Sequence, residues 1–259
     1  MRMMKKVLGT VTVLALSASL LAGCGSTAAS PVSSAASTAA ESTTSSVVSE
    51  TTSAAADENV AAAAQLLNDL TGSYQELWPV ILADEYQQTW LDDCTALVGE
   101  ENAEAAFEKL SSMVTGDVYG EDAVEAYANG GGAYFCGFTN DLATLTFDGE
   151  TSTISGTDKD GNELFFHTYH YIGMEPVRGL YEFESDDADS GEFTYFFLAP
   201  DTSAETYHIE FRYGSDADAL SQYDAGDYAY WLASGISTDC DQTMIDNCIK
   251  LFCTENLAG

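Results

Sequence analysis

Basic residues are scarce in this chain. Lysine and arginine number 8 among 259 residues, against 42 aspartates and glutamates, for a formal net charge of −34 at pH 7. Such an excess of one sign argues against nucleic acid and anionic lipid headgroups as partners, because both are bound through Lys/Arg patches. Cations, or plain solubility at a crowded surface, fit better. Histidine is rarer still, with three in the chain, so any imidazole site must draw on His167, His170 and His208. No C-x-x-C pair exists, which removes the usual thiolate framework of a structural zinc site. No G-x-S-x-G elbow is present, and no serine or cysteine lies close in sequence to a base that would activate it. Gly130-Gly131-Gly132 precedes a candidate strand instead of following one, so it reads as a helix stop and linker, not a phosphate loop. Asp158-Lys159-Asp160-Gly161 lacks the later ligands of a calcium-binding EF-hand loop and reads as a turn. Asp186, Asp187 and Asp189 offer at most a weak hard-cation site. With no ordered catalytic constellation, the chain is expected not to be an enzyme.

What is present begins with a leader. Arg2, Lys5 and Lys6 form a basic start, Val7 to Leu21 are mostly apolar, and Leu21-Ala22-Gly23-Cys24 follows. This pattern is a secretory signal, and the cysteine after Leu-Ala-Gly resembles that of a bacterial lipoprotein. The resemblance implies cleavage before Cys24, a lipid on its thiol, and an extracytoplasmic protein anchored to the cell membrane without spanning it. Residues 1–23 are thus expected to be a signal peptide. The three basic residues there leave with it and no acid does, so the mature chain carries five basic and 42 acidic residues, near −37. Residues 24–56 are rich in Ser, Thr and Ala with no apolar period, which is the composition of a disordered tether. Its reach would be about 30 Å. Residues 57–259 are long enough for one substantial core.

Five cysteines remain after Cys24: Cys94, Cys136, Cys240, Cys248 and Cys253. The odd number allows at most two internal disulfides and leaves one thiol over. Cys248 and Cys253 are five apart on an expected helix and point to different sides, so they do not bridge each other.

The first half of the domain reads as helical. Ala63, Leu66, Leu67 and Leu70 follow the i, i+3, i+4, i+7 stripe. A short helix is expected at Tyr74–Leu77, others near Asp84–Val98 and around Ala103–Leu110, and another from Glu121 to Ala128. Beyond the glycine run the period changes to two. Strands are expected at Ala133–Thr139, Leu142–Phe147, Thr151–Thr157, Glu163–Ile172, Leu180–Glu184, Glu192–Leu198 and Thr206–Tyr213. Lys159-Asp160-Gly161-Asn162 is a hairpin turn by composition. Asp239 with Gln242 three residues later reads as a capping box before a last helix striped by Ile245, Cys248, Ile249 and Phe252. Short consecutive strands with tight connections point to an antiparallel barrel. The fold class is therefore α+β, mainly β, with N-terminal helices and a C-terminal helix.

Leu70-Thr71-Gly72-Ser73-Tyr74-Gln75-Glu76-Leu77-Trp78-Pro79-Val80 resembles the opening GxYQSVYPxL of the ZinT/AdcA zinc-binding lipocalin-like family. Phe193 to Pro200 resembles its SDHxIAP segment, and Thr206-Tyr207-His208-Ile209 its HFHI. Asp216 to Trp231 looks like its short helix and aromatic tail. The order and spacing of these blocks over residues 66–236 carry the resemblance, which also points to a lipid-anchored branch of that family. It implies a calycin-type barrel, zinc held by three histidines near the barrel mouth, and divalent metal capture or delivery beside a metal transporter. Two of the three histidine positions are replaced, by Phe196 and Thr206, and only His208 is kept.

A replacement set follows from strand alternation. His208 and Glu210 share one face of a strand, about 7 Å apart along it. His167 and His170 point to opposite faces of another strand, and His167, flanked by Phe165 and Tyr169, is the better third donor. His208, His167 and Glu210 are thus the expected metal ligands. On the same face as His208 and Glu210 stand Thr206 and Arg212, and an Arg212–Glu210 ion pair on a solvated face is the competing expectation. If His167 and His208 lie apart in the fold, the chain is instead expected to be a metal-free calycin-like module for a small ligand or a protein partner.

Overall fold

The computed structural model describes residues 58–199 and 208–258. The expected signal peptide, Cys24, the tether, Thr206 and Tyr207 lie outside them. Among the described residues, eight strands close into an antiparallel barrel in which each strand pairs with its sequence neighbours and the last returns to the first. The strands are β1 (Gly72–Glu76), β2 (Thr144–Asp148), β3 (Thr153–Thr157), β4 (Glu163–Met174), β5 (Tyr181–Ser185), β6 (Tyr195–Leu198), β7 (His208–Gly214) and β8 (Ala233–Ser237). This is the up-and-down barrel architecture of lipocalins. The helices are α1 (residues 58–69), α2 (Leu77–Ile81), α3 (Gln87–Val98), α4 (Glu100–Val114), α5 (Glu121–Ala128), α6 (Ala217–Leu220) and α7 (Gln242–Leu257). Among the described residues no helix is long and apolar enough to cross a membrane.

Alternation along the strands builds the inner core. Tyr74, Leu145, Phe147, Ile154, Phe165, Tyr169, Phe183, Phe196, Phe211 and Tyr213 are buried together inside the barrel, with the apolar stripe of α1 packed on the same cluster. A second core lies outside the wall. There α2, α3, α4 and α7 bury Leu77, Trp78, Trp90, Leu110, Ile245 and Ile249 against Ile236 of β8. The helices thus cover the β8 side, while the outer face of β4 leaves Phe166, Ile172 and Met174 exposed.

Three local expectations are corrected by the structure. Residues 72–76 form β1 and not the start of a helix at Tyr74–Leu77. Tyr74 faces inward while Ser73 and Gln75 flank it, and pairing with both β2 and β8 outweighs a weak helical preference in so short a segment. Residues 133–139 do not form a strand of the barrel. They make isolated bridges from Phe135 to Thr115 and Trp231 and cross to the barrel interior at Phe138. The cap of α7 is Asp241, whose carboxylate accepts the Met244 N–H at 3.0 Å, and not Asp239. The β3–β4 turn follows expectation: Gly161 sits at φ +80°, a region that favours glycine. The Asp158 carboxylate accepts the N–H groups of Asp160 and Asn162 and the Asn162 side-chain amide, each at 2.8 Å. Gly149 has a different reason to be glycine: a Cβ there would stand 2.4 Å from Asn68 Cα, so its absence lets α1 seat on the β2–β3 turn.

Arg212 fastens the cap formed by α6 and the segment to Tyr230. It is fully buried, and its guanidinium donates to the carbonyls of Leu220, Gln222 and Tyr228 while lying 4.4 Å from the Tyr223 ring centroid. Arg178 stacks on the same ring at 4.3 Å. Burial pulls the Arg212 pKa down to about 10, still charged at neutral pH. Arg212→Met keeps the volume and leaves those carbonyls without their donor. The variant is expected to lose about 2–4 kcal/mol of stability in urea unfolding, with an unchanged slope against denaturant.

The Asp158 hydrogen bonds, led by those from Asn162, hold its carboxyl below the usual range. A depressed folded-state pKa gives stability that is present above the unfolded value and lost as pH falls through the folded one. Asp158→Ala should therefore lower the melting temperature at pH 6, and the gap to the parent protein should narrow as the pH falls below the ordinary carboxylate range.

Candidate functional site

The face of β7 that carries His208 and Glu210 is the outer face, and it is covered. His208 stands opposite Ile236, and Glu210 opposite Ser234. Ile236 packs into the helical core. His208 and Glu210 line a small cavity of about 40 Å³ together with Trp78 of α2 and Cys248, Phe252 and Glu255 of α7. The two residues expected to share a face do so, as does Arg212. That face is only partly exposed, because α2 and α7 lie over one end and the Arg212 cap over the other. The carbonyls, and not Glu210, are where the Arg212 guanidinium donates. Burial pushes the Cys248 thiol up to about 12. Burial likewise raises Cys136 to about 12, with the Glu210 charge adding to the rise. Thiols held so high are protonated at neutral pH and are poor metal ligands in that form.

His167 lies on the other side of the wall. Its ring packs against Phe165 and Tyr169, both members of the inner core, at centroid distances of 5.9 and 6.4 Å. Nδ1 is 2.7 Å from Asp187 Oδ2, an arrangement that leaves Nε2 as the nitrogen available to a ligand. His170, three residues on, faces outward with Nδ1 2.7 Å from Asp186 Oδ1 and Nε2 3.9 Å from Glu184. Consecutive aspartates of one loop thus hold imidazoles on opposite faces of β4. Tyr169 ties the far end of that loop, donating to the Phe193 carbonyl at 2.5 Å.

Beside His167 opens a cleft of about 590 Å³. Phe165 and Phe193 form one wall, stacked at 4.0 Å with planes 15° apart. Glu163, Asp189 and Glu192 add three carboxylates, and no lysine or arginine is among the described residues that line the cleft. Glu192 is held by the hydroxyls of Tyr228 and Ser215, each at 2.9 Å. Asn140 borders the cleft from a turn where it and Asp141 have φ of 55° and 61°, a left-handed conformation that Asn and Asp accept more readily than other side chains.

The structure therefore brings His208 and Glu210 together and leaves His167 apart, on the opposite face of the wall and on a strand separated from β7 by β5 and β6. Among the described residues no three His, Cys, Asp or Glu side chains are placed to hold one metal ion. A tetrahedral zinc shell needs about four such donors converging, so these residues as arranged do not fit zinc. Phe196, at a position where the resembled family has a histidine, is fully buried in the barrel core. Alternation grouped His208 with Glu210 and His167 with Phe165 and Tyr169, but it says nothing about which face of each strand turns inward, and the expected convergence of His167 with His208 does not occur. The cleft residues Glu163, Asp189, Glu192 and Phe193 were missed as a group, because they meet only when the β4 start folds against the loop before β6.

Comparison with solved structures finds chains similar to this one at low identity. The Zn(II)-bound ZinT-like domain of AdcA from Streptococcus pneumoniae superposes with TM-score 0.45 and 15% identity, covering 71% of this chain and 89% of that one. Zn(II)-bound AdcA from the same organism gives TM-score 0.42 and 14% identity, covering 72% of this chain and 35% of that one. No family model matches the chain. No curated protein matches it by sequence.

Proposed function

We propose that this domain is a non-enzymatic binding module, presented outside the cell on a tether lipid-anchored at Cys24, which holds a small ligand bearing positive charge in the cleft beside β4. The observation that carries this reading is the cleft itself: about 590 Å³, walled by stacked aromatic rings, edged by carboxylates and, among the described residues, free of lysine and arginine in its lining. Its volume is within the range of small-molecule sites. Aromatic faces attract cations through the ring quadrupole, and carboxylates add charge complementarity. His167, oriented by Asp187, supplies one directional polar contact. The leader sequence and the acidic surface support an extracytoplasmic setting with the tether as spacer.

A second reading, capture of a divalent ion such as zinc and its delivery to a membrane transporter, is favoured by one observation. His208 and Glu210 share a cavity with Cys248 and Glu255. It requires side chains to move toward a common point on binding, and such binding would weaken as pH falls and protons compete for the imidazole.

One calorimetric series separates the two. The protein is titrated with a polyamine, arginine, a quaternary ammonium ion, an anionic control and zinc. The cleft reading predicts that at least one organic cation binds, that the anion does not, and that Phe193→Ala with Asp189→Asn weakens binding at least fivefold while His208→Ala does not. Heat with zinc alone, abolished by His208→Ala and untouched by the cleft substitutions, would replace it with the metal reading. No binding by any member would reject both.

A further inference from the structure

Two thiols from opposite ends of the domain meet in the helical layer. Cys94 on α3 and Cys253 on α7 are fully buried, and their sulfurs are 3.9 Å apart across 159 residues of chain. The helices that carry them pack along each other. Trp90 of α3 and Phe252 of α7 bring their rings to 6.0 Å, and Trp90 Nε1 donates to the Ile81 carbonyl at 2.7 Å, which sets the position of α3 against α2. The remaining cysteines, Cys136, Cys240 and Cys248, are not within sulfur contact of either thiol among the described residues.

We propose that Cys94 and Cys253 become a disulfide when the domain folds in an oxidising compartment, stapling the C-terminal helix to α3. Forming the bond requires the sulfurs to approach to about 2.05 Å, a closure that side-chain rotation and a small helix adjustment supply. The oxidant is an external disulfide, small-molecule or protein. One cysteine thiolate attacks a sulfur of that disulfide and releases one thiol, and the second cysteine then displaces the mixed disulfide and releases the other. Two S–H bonds are lost and one S–S bond is gained, while the external disulfide is reduced to two thiols that carry the two protons and two electrons.

Timing follows from burial. In the finished fold both thiols are shielded from solvent and burial raises their pKa, so neither attacks readily. The exchange belongs to the interval before α7 docks. Its consequence reaches the cavity beneath α7: the same helix carries Cys248, Phe252 and Glu255 over His208 and Glu210, so the staple fixes that roof in place. This inference is independent of either reading of the ligand.

The test uses the unprocessed full chain, in which Cys24 carries no lipid and all six cysteines are countable. The protein is unfolded under reducing conditions, refolded with mixed reduced and oxidised glutathione, then denatured, alkylated and digested without reduction. Free thiols are expected to fall to four, with a cross-linked peptide pair containing Cys94 and Cys253. The oxidised protein should melt on the order of 10 °C above the reduced one, as expected for closing so long a loop. A Cys94→Ala, Cys253→Ala protein should lose that redox-dependent difference. Six alkylated cysteines in the refolded parent protein, or a bridge joining any other pair, would overturn the proposal without reference to the variants.

Discussion

The pairing of β1 with β8 is the constraint from which the arrangement of this domain follows. A meander of eight strands left open would present two unpaired edges, and edges invite pairing with other chains. Closing the sheet removes them and makes one rule govern every strand: of two neighbouring residues, one faces the packed interior and the other faces out. Gln75 opposite Ile236 and Glu76 opposite Gly235 lock the seam. Once that seam is shut, the direction of each polar side chain on the wall is decided. His167 lies between Phe165 and Tyr169 on the inward face of β4. His208, alternating with Ile209 and Phe211, can only face outward from β7.

Facing outward does not mean facing water. The helical layer covers the β8 side of the barrel, and it turns what strand alternation marks as a polar face into a second interface. Trp78, Ile236 and Phe252 surround the His208 end, and Arg212 is enclosed by the segment it binds through backbone carbonyls. Among the described residues the opposite wall has no such cover. There the long strand β4 leaves Phe166 61% exposed, and the loops at its start open the acidic, aromatic cleft. Among the described residues, one side of the barrel is thus covered by helices and the other bears the open cleft. Removing Arg212 from water carries a desolvation cost, offset by its carbonyl partners and by stacking on Tyr223. That investment fits a residue that organises a cap better than one that answers Glu210 on a solvated strand.

Much of this was legible in the amino-acid order. The helices from Gln87 to Ala128 follow their apolar stripes, and α3 and α5 end at Gly99 and Asn129. The central strands β2 to β7 follow their alternation, and Asp158 to Asn162 announces its turn. Less was legible where the segment is short or its residues are small. Gly72-Ser73-Tyr74-Gln75-Glu76 has one apolar side chain to mark a strand, and Ala233-Ser234-Gly235-Ile236-Ser237 has little to set it apart from a loop. Their strand character comes from partners distant in sequence. The candidate site met the same limit. Strand alternation put His208 and Glu210 together correctly, but grouping His167 with them required knowing that the two strands turn opposite faces toward the histidines. Only the closed barrel supplies that knowledge. The meeting of Cys94 with Cys253 was likewise out of reach, since it depends on the docking of α3 against α7, far apart in the chain.

The central claim is that a packed barrel wall separates the imidazole of His167 from that of His208. Anomalous diffraction from crystals grown with excess zinc tests it most directly. The account predicts that no anomalous peak lies within bonding distance of both rings. A single strong peak coordinated by His167, His208 and Glu210 together would contradict it.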